Sequence, residues 1–109
     1  KGKVNLFISA LSYSNIYYII KKTCSHKKMI SLLRDLEELT ETMDVTKQII
    51  SRSLNSEFRD FEDSIQYYTA ISNKKISGIV TRNVRDYKSS EINVWTPDEV
   101  VSIIDSSAG

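Results

Sequence analysis

Glycine is scarce, with three residues among 109, and nowhere do they form the glycine-rich loop that cradles a nucleotide's phosphates. A small-nucleotide binder is therefore a weak reading. Cys24 is the sole cysteine, so no internal disulfide can form and a reducing, cytoplasmic setting is expected. It has no evident charged partner to make it a nucleophile. The single histidine, His26, heads an amphipathic segment and reads as a solvated residue, not a general base. Neither sign of charge dominates. Fifteen Lys and Arg against 14 Asp and Glu leave a net charge of +1, so no global basic field draws in nucleic acid. Any such contact must rest on a local patch. The longest apolar stretch is too short, and too interrupted by Ser and Tyr, to span a bilayer. No secretory leader is visible, although the chain opens abruptly at Lys1. There is no internal repeat and no low-complexity linker.

What is present is enough for one core. Residues 1–105 are expected to form a single domain, with 106–109 as a loose tail. Short apolar runs at 4–8, 76–81 and 92–95 read as strands, and the less apolar 41–45 as a further short one. Ser12 is expected to cap a helix over 13–22, with Ile16, Tyr17, Ile19 and Ile20 as a wide apolar face. Met29, Leu32, Leu33, Leu36 and Leu39 give a strong helical stripe over 26–39. Thr46 caps a helix to about 54, and a further helix contains Asp60 and Asp63. Thr96-Pro97-Asp98-Glu99 opens the last helix, with a capping Thr, Pro in the first position and Glu in the third. Val100, Val101, Ile103 and Ile104 are expected to bury it. Strands alternating with helices imply an α/β fold around a mostly parallel sheet.

Ligands of such sheets bind beyond the carboxyl ends of the strands. Ser9, Ser12 and Asn15 follow the first strand; Asp60 and Asp63 begin the helix before the third; Thr81, Asn83 and Asp86 follow that third strand. The connecting lengths bring the acids to one edge. A helix from Asp63 to Asn73 rises roughly 15 Å, and the returning strand covers roughly 17–20 Å. A carboxylate pair so placed is a natural site for a divalent cation. Without one, two carboxylates about 5 Å apart repel by roughly 3 kcal/mol at an effective dielectric near 20. Arg82, Arg85 and Lys88 stand close by and can position phosphates. Each residue also has a plainer role. Acids at a helix start cap free N–H groups, Asp86 can form a turn, and Tyr67 and Tyr68 fit a core or interface at helical spacing.

Four segments together resemble PIN-domain proteins, closest to bacterial toxins of type II toxin–antitoxin modules. They are Ile8-Ser9-Ala10-Leu11-Ser12-Tyr13-Ser14-Asn15, Asp60-Phe61-Glu62-Asp63-Ser64-Ile65-Gln66, Val80-Thr81-Arg82-Asn83 with Asp86-Tyr87, and Thr96-Pro97-Asp98-Glu99. The resemblance implies a three-layer α/β/α fold and an endoribonuclease using Mg²⁺ or Mn²⁺. Asp63 matches the acid at the start of the helix before the fourth family strand, and Asp86 the acid after that strand. Thr81 and Asn83 match the polar pair that organises the loop. Asn15 lies where many relatives carry Glu, and Asp60 is an extra acid one turn ahead of Asp63. The family's first strand, central in the sheet and ending in an Asp, has no counterpart here, so an N-terminally truncated domain is expected. The resemblance also implies a dimer and a small antitoxin that inserts near the acids. A PIN-fold module without catalysis, holding RNA or protein, is the alternative.

Overall fold

The structure, a computed structural model, describes residues 5–108, with side chains to 103. Strands and helices alternate through it, and it is mixed α/β with parallel strand pairing throughout. In place of one continuous sheet, the described residues form two parallel two-stranded sheets. Each belongs to one of two compact units, residues 5–45 and 46–108.

The first unit runs β1 (Phe7–Ser9), α1 (Ala10–Ile20), α2 (His26–Leu39) and β2 (Glu41–Met43). Phe7, Ile8 and Ser9 pair in parallel with Glu41, Thr42 and Met43. The α1 helix starts earlier than the sequence suggests. Ser9, not Ser12, is its extended N-terminal residue, at φ −76° and ψ 151°. The Ser12 hydroxyl instead meets that of Ser9 at 3.0 Å, and the good helix formers Ala10 and Leu11 take the first turn. The α2 helix spans the expected residues, and Ser25 caps it by accepting from the Lys28 N–H. Burial falls short of expectation. Met29 is buried, but Ile19 is 72% exposed and Leu39 77%. The reason is width. Two strands about 4.8 Å apart cannot cover the apolar side of an 11-residue helix, about 16 Å long.

The second unit runs α3 (Lys47–Leu54), α4 (Phe61–Ile71), β3 (Gly78–Val80), a 3₁₀ turn (Val84–Tyr87), β4 (Asn93–Trp95) and α5 (Pro97–Ala108). Thr46 caps α3 through the Ile49 N–H. Its core is Ile49, Ile65, Tyr67, Ala70 and Tyr87, contributed by α3, α4 and the 3₁₀ turn. Gly78, Ile79 and Val80 pair with Asn93, Val94 and Trp95. Gly78 is required there, because a Cβ on it would overlap the Trp95 ring. At the start of α5 the Thr96 hydroxyl accepts from Glu99 N–H at 3.2 Å, and the Glu99 carboxylate accepts from Thr96 N–H at 2.8 Å. This is the reciprocal box the sequence spells. The helix continues to Ala108, through residues expected as a loose tail. Val101 and Ile103 remain exposed, contrary to the expected burial, while Val4, Gly109 and the Ile104 side chain lie outside the described residues. Among the described residues no helix is long and apolar enough to cross a membrane.

Candidate functional site

Asp60 sits just before α4 in extended conformation, and its Oδ1 accepts from the Asp63 N–H at 2.9 Å. That bond satisfies one of the free donors at the helix start and fixes the backbone that carries Asp63. Asp63 therefore projects from the first turn of α4. Past β3, Thr81 N–H donates to the Trp95 carbonyl at 2.9 Å, and Thr81 Oγ1 accepts from Asn83 N–H at 3.0 Å. The Asn83 carbonyl then accepts from Asp86 N–H at 2.9 Å. Thr81 and Asn83 thus fold the loop that carries Asp86 back toward α4.

Asp63 and Asp86 line the same cavity, and the Asp86 charge acts on the Asp63 carboxyl. Tyr87, buried in the next position, donates its O–H to Asp63 Oδ1 at 3.2 Å. Asp63 is half-buried, and its carboxyl is pushed above the ordinary 3.8. Desolvation is the main cause, followed by the Asp60 charge; Asp86 adds to the rise, while the Tyr87 hydrogen bond opposes it. The Tyr87 phenol is itself pushed up, first by burial and then by the Asp63 charge. Removing charge from this pair, or adding a cation to it, relieves the same strain.

Among the described residues no group of three or more His, Cys, Asp and Glu side chains converges as a metal centre. The donor set is two carboxylates with a third, Asp60, partly engaged in capping. One or two carboxylates suit Mg²⁺, which keeps several waters and takes remaining ligands from phosphate. The chemistry of the donors therefore fits a divalent cation shared with a phosphorylated substrate.

A cavity of about 670 Å³ opens beside the acids, lined by residues of this unit alone. Of the three cations expected near the site, Arg85 and Lys88 line it. Arg82 is exposed on the loop after β3 and does not line it. Ser9 and Asn15 belong to the other unit, where Ser9 is buried and Asn15 is half-buried on α1. Three contributors have no counterpart in the sequence reading, and a fourth, Tyr68, is read there as core or interface ahead of a base-stacking platform. Arg52, Phe58 and Arg59 line the cavity, and Tyr68 is half-open to it. Phe58 forms the hub of an aromatic wall, with ring centroids 5.2 Å from Tyr67 and 5.7 Å from Tyr87. The available signal was weak: a cationic and an aromatic residue, Phe58-Arg59, directly ahead of the acidic run.

The family model for the PIN domain matches residues 1–85. The match takes in Asp60, Asp63, Thr81 and Asn83 and ends one residue short of Asp86. Comparison with curated proteins and with solved structures gives no match. With the greater part of its length matched, the chain belongs to the PIN-domain family, whose members are in general nucleases.

Proposed function

We propose that this protein is a metal-dependent endoribonuclease that hydrolyses RNA phosphodiester bonds through Asp63 and Asp86. What supports the reading is that Asp63 of α4 and Asp86 of the 3₁₀ turn line one cavity together with Arg85 and Lys88, and that the Asp86 charge acts on the Asp63 carboxyl. Asp63 and Asp86 would hold Mg²⁺ or Mn²⁺, with Asp60 adding negative charge. When bound, the ion supplies the charge that polarises the scissile phosphate and acidifies the attacking water. The chain supplies the rest. Tyr87 orients the Asp63 carboxylate by hydrogen bonding to Oδ1. Thr81 and Asn83 hold the loop that presents Asp86. Arg85 and Lys88 bind backbone phosphates, an attraction that weakens as salt rises. The toxin-like resemblance adds a dimer and a small inhibitory antitoxin as expected partners.

Incubating the protein with RNA and Mg²⁺ or Mn²⁺ should give cleavage that EDTA abolishes and that Asp63→Asn loses. A variant that cuts as fast as the parent would remove Asp63 from the chemistry. The two-acid donor set also favours a second reading, a non-catalytic RNA-binding module of the same fold. The readings separate on heating. A working site gains thermal stability from Mg²⁺ or Mn²⁺ by linkage, whereas a module without a metal site gains none.

A further inference from the structure

The cavity holds more than two carboxylates and a phosphate require. At about 670 Å³ it lies within the range that accepts a whole small organic group. Part of its wall is aromatic: Phe58, Tyr67 and Tyr68 line it, Tyr87 packs against Phe58, and the four rings are not equivalent. Tyr67 is buried, with its hydroxyl accepting from Glu91 N–H at 3.1 Å. Tyr87 is buried and committed to Asp63. Phe58 is packed between them. Tyr68 differs: it is half-exposed, lines the cavity, and is braced by the edges of Phe58 at 6.3 Å and Tyr67 at 5.1 Å.

The exposed Arg52 places its guanidinium carbon 4.6 Å from the Tyr68 ring centroid, within cation–π range. A guanidinium backed by a tyrosine ring presents a flat, π-compatible surface, and unpaired bases stack on both kinds of plane. Tyr68 follows Asp63 by five residues on α4, which places it about 7.5 Å further along the helix axis. That is the scale of one nucleotide. Arg59 and Arg85 line the same cavity and can hold the connecting phosphates.

We propose that Arg52 and Tyr68 form a nucleobase platform, which stacks an unpaired base of the RNA strand next to a phosphate that Arg59 and Arg85 hold beside Asp63. The proposal rests on reading this cavity as an RNA site and specifies what that site recognises. A purely structural Arg52–Tyr68 contact, stapling α3 to α4, would affect folding but not discriminate between ligands.

The test uses the full chain in EDTA at low salt, so that binding is read without cleavage. Fluorescence anisotropy compares a labelled single-stranded oligoribonucleotide with an abasic ribose-phosphate oligomer of the same length. The parent should bind the base-bearing strand about tenfold more tightly. Tyr68→Ala should erase that preference and leave abasic affinity unchanged, while Tyr68→Phe keeps it. Arg52→Lys, at an exposed position where folding is safe, keeps the charge but loses the plane; it too should reduce only the base-dependent part. Equal weakening of both oligomers, or no change in either, overturns the platform. RNA that is never cleaved, with the base preference intact, supports the platform while removing the nuclease reading. Cleavage lost in Asp63→Asn without any base preference does the reverse.

Discussion

Tyr87 Oη lies 3.2 Å from Asp63 Oδ1, a hydrogen bond spanning 24 positions of sequence. It ties the start of α4 to the 3₁₀ turn and makes the ionisation of one carboxyl group sensitive to a phenol and to two other acids. This coupling is directly measurable.

Tyr87→Phe removes a hydrogen bond that favours the charged form of Asp63, so its carboxyl should titrate still higher. Asp86→Asn removes a source of repulsion and should move it down. Carboxyl ¹³C chemical shifts followed against pH read both directions. Two variants that leave the Asp63 titration unmoved would mean the groups do not interact in solution.

Stability should carry the same signature. The folded Asp63 carboxyl holds its proton above 3.8, where the unfolded chain has begun to lose it. Folding stability therefore declines as pH rises from the unfolded value through the raised folded one. In metal-free buffer Asp63→Asn should melt higher than the parent at pH 7, with the gap closing near pH 3. Thermal melts across that range check it. A parent that melts above the variant at pH 7 without metal contradicts the electrostatic account.

Gly78→Ala should destabilise by about 1–3 kcal/mol, the usual cost of overpacking, since the new Cβ meets the Trp95 ring. Urea denaturation gives the loss, and Trp95 emission should shift with it. Repeating the change in a Trp95→Leu background should recover most of the cost. Equal losses in both backgrounds would place the cause elsewhere.

Thr69 is fully buried on α4, and its Oγ1 has no hydrogen-bond partner. Thr69→Val keeps the shape and removes an unsatisfied polar atom. Equal stability, or a gain of up to about 1 kcal/mol, is expected from denaturant midpoints. A clear loss would reveal a bond that Thr69 makes in solution.

Much of the architecture is written in local signals. The Leu and Met spacing of α2, the Thr46 cap and the Thr96–Glu99 box each depend on neighbours within four residues, and the sequence shows them directly. Asp63 and Asp86 are separated by a helix and a strand of matched length, which is why the sequence points both to one edge. Ser9 and Ser12 are equally good caps, and only the extended backbone at Ser9 chooses between them. Tyr67 and Tyr68 stand about 100° apart on α4, so periodicity alone cannot say which is sealed and which is open. Phe58 and Arg52 were invisible because their partners lie across a turn with no repeating pattern. The exposed apolar positions of α1 were misread because periodicity reports which side of a helix is oily, not how wide a surface awaits it.

The Tyr67 hydroxyl grips the backbone of Glu91, and both residues line the rim of the cavity. That rim is preorganised. A strand settling against it freezes little additional chain motion, so less of the contact energy is cancelled by lost conformational entropy. Adaptation to different guests then falls to the long, exposed arm of Arg59, which can swing while the frame behind it stays still.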